Sequence, residues 1–279
     1  MTASDALRRR ITAAGRWSVS NGLVRTVTGV TGLQGRFHRL YWQGMYRAHG
    51  GTCTRAVNGA EVDLHSATPE GFRHCKTLMG ERDVVEDVVA HVEPDDVFYD
   101  VGAYLGVYAC FVCANHPSVR SVLFEPDPNK QEMLRRNVED NDLSAAVHEY
   151  VLSETGGTVA FATSEASDGP NVSRIATAET DAAIEVTQTT GDDLVRRGAV
   201  PPPNVVKVDV EGAELDALRG MSETLGRDAC RTVYCEVHPT LLPAYDASEA
   251  DVHALLSELG FDVTRIGERG QEYFLRATK

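Results

Sequence analysis

The chain has 279 residues, is 42% hydrophobic and carries a formal net charge of −14. That length and apolar content suit one α/β domain with an extension. No apolar run approaches the roughly 18–20 residues of a membrane span, and the acidic balance argues against a nucleic acid partner.

The charge is unevenly spread. Residues 1–50 hold eight arginines and one acid, Asp5, whereas the rest of the chain carries 19 basic and 40 acidic side chains. Only four lysines occur: Lys76, Lys130, Lys207 and Lys279. A dense carboxylate surface of this kind suits a salt-rich cytoplasm, although a GC-rich genome also favours arginine over lysine. No signal peptide is visible, because Arg8, Arg9 and Arg10 are not followed by an apolar stretch. The expected location is therefore the cytoplasm.

Residues 1–80 read as an N-terminal extension. Ile11, Trp17, Val24, Val27, Leu33, Phe37 and Leu40 stand among arginines and predict one or two helices. A basic amphipathic segment can lie on an anionic membrane as a peripheral contact. It can equally pack on the acidic body or on a second copy of the chain, as a homodimer. Arg55 to Leu64 predicts a hairpin turning at Asn58-Gly59. Glu81 to Val92 predicts a helix with Val84, Val85, Val88 and Val89 on one face.

The next stretch, Val97 to Tyr108, is an apolar strand ending on Asp100, a glycine turn through Gly102 and Gly106, and an apolar helix. Gly102 lets the chain turn sharply off the strand, and Gly106 allows close approach of helix and ligand. The spacing does not meet the dinucleotide fingerprint. Cys110 and Cys113 lie inside the helix without a second pair, so packing is their expected role. Ser121 to Phe124 is a second strand that ends on Glu125-Pro126. An acid about 20 residues past the glycine turn is placed to hydrogen-bond ribose hydroxyls.

A helix over 129–138 and a third strand over 147–152 follow. The segment 156–190 departs from simple alternation, with extra strands at 158–161 and 183–187 around a polar loop that includes Ser164 to Asn171. That loop is a candidate substrate lid or a variable surface loop. Val205 to Val210 is the fourth strand, running into Glu211-Gly212-Ala213-Glu214 and a helix over 214–225. Arg231 to Pro239 is the fifth strand and its end, carrying Glu236 and His238. A helix over 248–259, ending at Gly260, and two last strands close the chain.

The D-V-G-A-x-x-G loop from Asp100, the acid-proline at Glu125-Pro126 and the K-x-D-V-E-G-A-E block from Lys207 stand in order. Together they resemble the FkbM-type family of S-adenosylmethionine-dependent methyltransferases, over roughly residues 81–279. Tyr104 stands where that family most often has Asn. The resemblance implies a doubly wound Rossmann-like methyltransferase sheet, mostly parallel with an antiparallel last strand. It implies S-adenosylmethionine as cofactor and O-methylation of a sugar, glycan or small natural product.

On this reading Gly102, Ala103, Tyr104 and Gly106 hold the methionine and ribose side of the cofactor, and Asp100 orients the turn or the methionine ammonium. Glu125 takes the ribose hydroxyls and Pro126 bounds the adenine. Tyr99, Tyr104 and Tyr108 each could face the sulfonium, but strand alternation leaves two of the three for packing. His238 is the first candidate to accept the acceptor's proton, with Asp209, Glu211 and Glu236 as the others. Such acids could hold Mg²⁺; no metal site is assigned. A non-catalytic cofactor-binding or scaffold protein is the alternative, and a nicotinamide-dependent oxidoreductase is disfavoured by the glycine spacing.

Overall fold

The computed structural model describes residues 33–163, 173–176 and 183–279. It divides into two compact units: residues 33–55 with 63–79, and residues 56–62 with 80–279. The first contains helix α1 (Leu33–His49) and helix α2 (Pro69–Thr77). Thr68 caps α2 through the Gly71 amide, and Pro69 opens it, where a missing N–H costs nothing. Phe72 is fully buried, with the rings of Trp42, Tyr46 and His49 around it at 5.6–6.3 Å. Phe37 and Leu40 of α1 remain exposed, at 60% and 64%. Ile11, Trp17, Val24 and Val27 lie outside the described residues. A hairpin, β1 (Thr52–Val57) and β2 (Ala60–His65), turns at Asn58 (φ 50°) and Gly59 (φ 92°). Positive φ at both positions is what a two-residue hairpin turn demands.

The larger unit begins with helix α3 (Arg82–His91), which buries Val84, Val85, Val88 and Val89 as their spacing predicts. Strand β3 (Val97–Val101), helix α4 (Val107–Asn115), strand β4 (Arg120–Phe124), helix α5 (Pro128–Glu139) and strand β5 (Ala145–His148) follow. Then come β6 (Val151–Leu152), β7 (Gly157–Ala162), β8 (Arg174–Ile175), β9 (Ile184–Thr189) and helix α6 (Gly191–Arg196). The chain continues through β10 (Val205–Val208), α7 (Glu214–Arg219), α8 (Ser222–Leu225) and β11 (Thr232–Val237). It ends with α9 (Glu249–Glu258), β12 (Asp262–Arg269) and β13 (Glu272–Thr278).

The main sheet has the order β12-β13-β11-β10-β3-β4-β5. The five strands β11, β10, β3, β4 and β5 are parallel, and β13 runs antiparallel between β11 and β12. Every residue of β3, β10 and β11 is buried, as expected where helices cover both faces. The chain runs outward from β3 to β5 and then returns to β10 on the other side of β3. The strand order therefore reverses between β3 and β10, and ligands of such sheets bind at the carboxyl ends there.

Three expected elements differ in detail. The strand expected over 147–152 divides, β5 pairing with β4 and β6 with β9 of a second, four-stranded sheet. Phe124, His148 and Tyr150 stack in series across the division. The helix expected over 214–225 breaks at Gly220, where a Cβ would stand 2.0 Å from the Ser153 carbonyl oxygen. The buried Asp192 carboxylate then accepts the amides of Glu223 and Thr224, starting α8 afresh. Strand β10 stops at Val208, so Glu211 belongs to a turn (φ 54°) rather than to the strand face of Lys207. The polar loop 164–171 lies outside the described residues. The extra strands around it are present as β7 and β9, and all six cysteines are buried, none in a disulfide.

Candidate active site

The chain leaves β3 through Gly102 (φ 79°), Tyr104 (φ 52°) and Gly106 (φ 76°), which caps α4. The amides of Gly102 and Ala103 both donate to the Phe124 carbonyl at 3.0 Å, and the Tyr104 amide donates to Glu125 Oε2 at 2.8 Å. The two glycines serve different neighbours. A Cβ on Gly102 would stand 1.8 Å from the Asp209 carbonyl oxygen, so the turns after β3 and β10 pass in direct contact. A Cβ on Gly106 would meet the Leu134 side chain of α5 at 2.5 Å.

Glu125 is buried at the end of β4, and burial pushes its carboxyl upward. Its second oxygen accepts the Asp127 amide at 2.9 Å. Each carboxylate oxygen has two lone pairs, so both keep acceptor capacity toward a ligand. Gly102, Phe124, Glu125, Pro126, Tyr150 and Asp209 are among the residues lining one cavity of about 450 Å³, counting its part open to solvent. Its lining is mostly apolar, with Glu125, Asp209 and Arg174 as the charged members.

The three tyrosines separate. Tyr99 packs in the core against Phe124, its hydroxyl donating to the Pro201 carbonyl. Tyr104 lies under Lys130, and Tyr108 lies under Lys207 while donating its hydroxyl to Glu81 Oε2.

Beyond the loop is a cluster of charge. Lys207, buried on β10, stands 3.5 Å from Asp100 Oδ1 and 3.2 Å from Asp209 Oδ2. Asp100 is fully buried, with neither oxygen otherwise hydrogen-bonded. His238 follows β11; its Nδ1 is 2.7 Å from Glu214 Oε1, which also accepts the Gly212 amide at 2.8 Å. Glu214 therefore holds the turn that leads into α7 and orients the imidazole at once. On the other side of the ring, Nε2 faces Glu211 Oε2 at 3.4 Å, Asp209 Oδ1 at 3.9 Å and Glu236 Oε1 at 4.0 Å. The sequence-predicted residues His238, Asp209, Glu211 and Glu236 are thus in one place, and Asp209 also lines the cavity. Gly212 (φ 105°) lets the turn pass Leu241 and Tyr245, which a Cβ would approach to 2.8 and 2.7 Å.

Three members of the cluster are not marked in the sequence. Arg269, from the last hairpin, donates to Glu81 Oε1 at 2.7 Å, to Glu236 Oε1 at 2.6 Å and to Glu272 Oε2 at 3.0 Å. Glu81, at the start of α3, and Glu272, on β13, arrive only through tertiary folding.

So many acids in one buried space shift one another. Burial pushes Glu236 up to about 9, with Asp209 and Glu81 adding to the effect. Burial and Asp209 push Glu211 up to about 7. Burial also opposes ionisation of Asp209, but Lys207 and His238 outweigh it and hold that carboxyl down at about 2. For His238, burial opposes the charge, yet the Glu214 hydrogen bond and the Asp209 carboxylate push it up to about 10. Among the chain's own groups, the imidazole therefore keeps its second proton at neutral pH and must lose it before it can act as a base.

The Methyltransferase FkbM domain model matches residues 100–263. Hexuronic acid methyltransferase AglP of Haloferax volcanii is 34% identical over 213 residues, covering 75% of this chain and 82% of that protein. The 31-O-demethyl-FK506 methyltransferase FkbM of Streptomyces tacrolimicus is 24% identical over 237 residues, covering 75% of this chain and 88% of that protein. Among solved structures, methyltransferase FkbM from Methylobacillus flagellatus aligns with a TM-score of 0.46 at 15% identity, covering 77% of this chain and 56% of that one. With the family domain spanning the glycine loop, Glu125 and the acid–histidine cluster, the chain belongs to the FkbM methyltransferase family and is an S-adenosylmethionine-dependent methyltransferase.

Proposed function

We propose that the chain methylates an oxygen of a sugar-type acceptor, with a hexuronic acid unit as the first acceptor to test. The observation that carries this reading is Asp209, which lines the cavity bounded by Gly102 and Glu125 and also faces His238. A cofactor cavity and a proton-accepting cluster therefore meet at one residue. A non-catalytic binding protein would need the cavity but not the cluster. The name of the Haloferax volcanii relative supports the sugar class, and the absence of an Asn/Asp-Pro-Pro-Tyr block favours oxygen over a base amine.

Bound S-adenosylmethionine supplies an electrophilic methyl group on a sulfonium. Asp100, Gly102, Ala103, Tyr104 and Gly106 would hold its methionine and ribose side, Glu125 its ribose hydroxyls, and Pro126 its adenine. Residues 81–279 make up the methyltransferase domain on this reading, and residues 1–80 an extension. The chain's part in the chemistry is to hold the acceptor oxygen in line with the methyl group, which supplies most of the attainable rate. The acceptor's proton leaves to the cluster of His238, Asp209, Glu211 and Glu236. Among the described residues no helix is long and apolar enough to cross a membrane.

The test is transfer of labelled methyl to a panel of hexuronides, neutral hexosides and amines, with the product position read by mass spectrometry. Labelled hexuronide with unlabelled amine is the expected result. Transfer to amines alone, or to no sugar while S-adenosylhomocysteine still binds, would overturn the reading. The ribose assignment has its own check. Glu125→Ala removes a charged acceptor worth about 1.5–3 kcal/mol, so the dissociation constant of S-adenosylhomocysteine should rise about 10- to 100-fold in calorimetry. An unchanged constant would mean that Glu125 only anchors the Tyr104 and Asp127 amides.

A further inference from the structure

The imidazole of His238 is held as metal-binding imidazoles are held. Its Nδ1 is engaged by a fully buried carboxylate, Glu214, at 2.7 Å. A carboxylate on one ring nitrogen fixes the ring and presents the other nitrogen to a Lewis acid. That other nitrogen, Nε2, is buried and has no hydrogen-bond partner, a condition that calls for an explanation.

Its neighbours supply one. Glu211 Oε2, Asp209 Oδ1 and Glu236 Oε1 stand 3.4, 3.9 and 4.0 Å from Nε2. The last two are too long for hydrogen bonds, and the first is poor. They match atoms that share an ion instead. At metal–ligand distances of about 2.0–2.5 Å, adjacent ligand atoms lie about 3–3.5 Å apart and opposing ones about 4–5 Å. Asp209, Glu211 and His238 each offer an atom within 4.8 Å of the other two.

Charge points the same way. Asp100, Glu81, Asp209, Glu211, Glu214, Glu236 and Glu272 share this space with two permanent cations. Lys207 is committed to Asp100 and to Asp209 Oδ2, and Arg269 to Glu81, Glu236 Oε1 and Glu272. Asp209 Oδ1 and Glu211, both half-buried, are left with the single His238 imidazole between them, and carboxylates short of counter-charge in such a place are costly.

We propose that His238 Nε2, Asp209 Oδ1 and Glu211 Oε2 bind a divalent cation, with Glu214 as the positioning residue. One imidazole with two carboxylates suits Mn²⁺, Fe²⁺ or Zn²⁺ better than Ca²⁺. Three protein ligands leave positions for acceptor oxygens. That role rests on the methyl-transfer reading above; the binding does not.

The test uses the full chain, stripped with chelator and free of cofactor and acceptor. Mn²⁺ is titrated in, and free Mn²⁺ is followed by electron paramagnetic resonance. One ion per chain should bind. Glu211→Gln and His238→Gln should each weaken binding at least about 10-fold, and Glu214→Gln about 10- to 100-fold. Glu211→Gln leaves the His238–Glu214 pair intact, so it reports even if His238→Gln unfolds. Glu149→Gln, a surface acid outside the site, should change nothing. Absence of a stoichiometric site, or a site indifferent to both His238→Gln and Glu211→Gln, would overturn the proposal and make His238 a charge clamp for the acids. A parallel titration with S-adenosylhomocysteine separates the two readings. Binding of that compound without Mn²⁺ binding sinks only the metal site, and the reverse sinks only the cofactor site.

Discussion

Gly102→Val should abolish S-adenosylhomocysteine binding and lower stability by about 2–6 kcal/mol. Two costs combine. A valine forced to φ near 79° is strained by about 1–3 kcal/mol. Its Cβ would also fall 1.8 Å from the Asp209 carbonyl oxygen, a backbone atom that no rotamer change can move, and overpacking of this kind costs a further 1–3 kcal/mol or so. Relief requires the β3 and β10 turns to part. That breaks the bonds of the Gly102 and Ala103 amides to Phe124 and displaces Asp209, which belongs to both halves of the site. Thermal unfolding and calorimetric titration on the same sample read both effects. Gly106→Ala is the comparator: its contact is the Leu134 side chain, which can rotate away, so a smaller loss is expected. Wild-type affinity in Gly102→Val would show that the β3 turn does not shape the cavity.

The same contact explains how much of the site was readable from sequence. Asp100 to Gly106, Glu125-Pro126, Asp209 to Glu214 and Glu236 to His238 are each short runs where a buried strand ends. Their features are local: an apolar run stopped by an acid, followed in the first and third runs by glycines at positive φ, Gly102 and Gly212. Strand alternation left two of Tyr99, Tyr104 and Tyr108 for packing without saying which, and only the fold places Tyr99 in the core. What the sequence concealed is carried by tertiary placement. Arg269 reaches Glu81 and Glu236 only because β13 inserts antiparallel beside β11 and β12 returns along it. Nothing near Glu81 marks it as a partner of a residue 188 positions away. Glu214 suggests a helix cap by its position, but it holds the Gly212 amide of the turn before α7 instead, and its role toward His238 needed the end of β11 to bring the ring to 2.7 Å. The break at Gly220 depends on Ser153, a residue of the other sheet's approach, and so left no periodic signal within 214–225.

The imidazole itself gives the largest expected effect on turnover. His238→Gln should cut it about 10²- to 10⁴-fold, the range for losing a positioned acid–base group, while S-adenosylhomocysteine still binds. The geometry separates those two outcomes: His238 faces Asp209, Glu211 and Glu236 across the cluster, whereas Glu125 and the glycine loop shape the cavity. Glutamine is preferred to alanine here. Alanine would leave the fully buried Glu214 carboxylate with only the Gly212 amide as partner, and breaking a buried pair costs about 3–5 kcal/mol. An amide side chain can still donate to Glu214. The double variant His238→Gln with Glu214→Gln guards against misreading instability as lost chemistry, because it removes the buried charge as well as the ring. It should be as slow as His238→Gln alone, since Glu214 acts through the imidazole. Turnover is to be followed from about pH 6 to 11, so that the range spans the value of about 10 to which His238 is pushed. Full turnover of His238→Gln throughout that range would remove the imidazole from the reaction. The proton-accepting role would then pass to Glu236, whose Oε2 is buried without a hydrogen-bond partner, once it has lost the proton that burial favours.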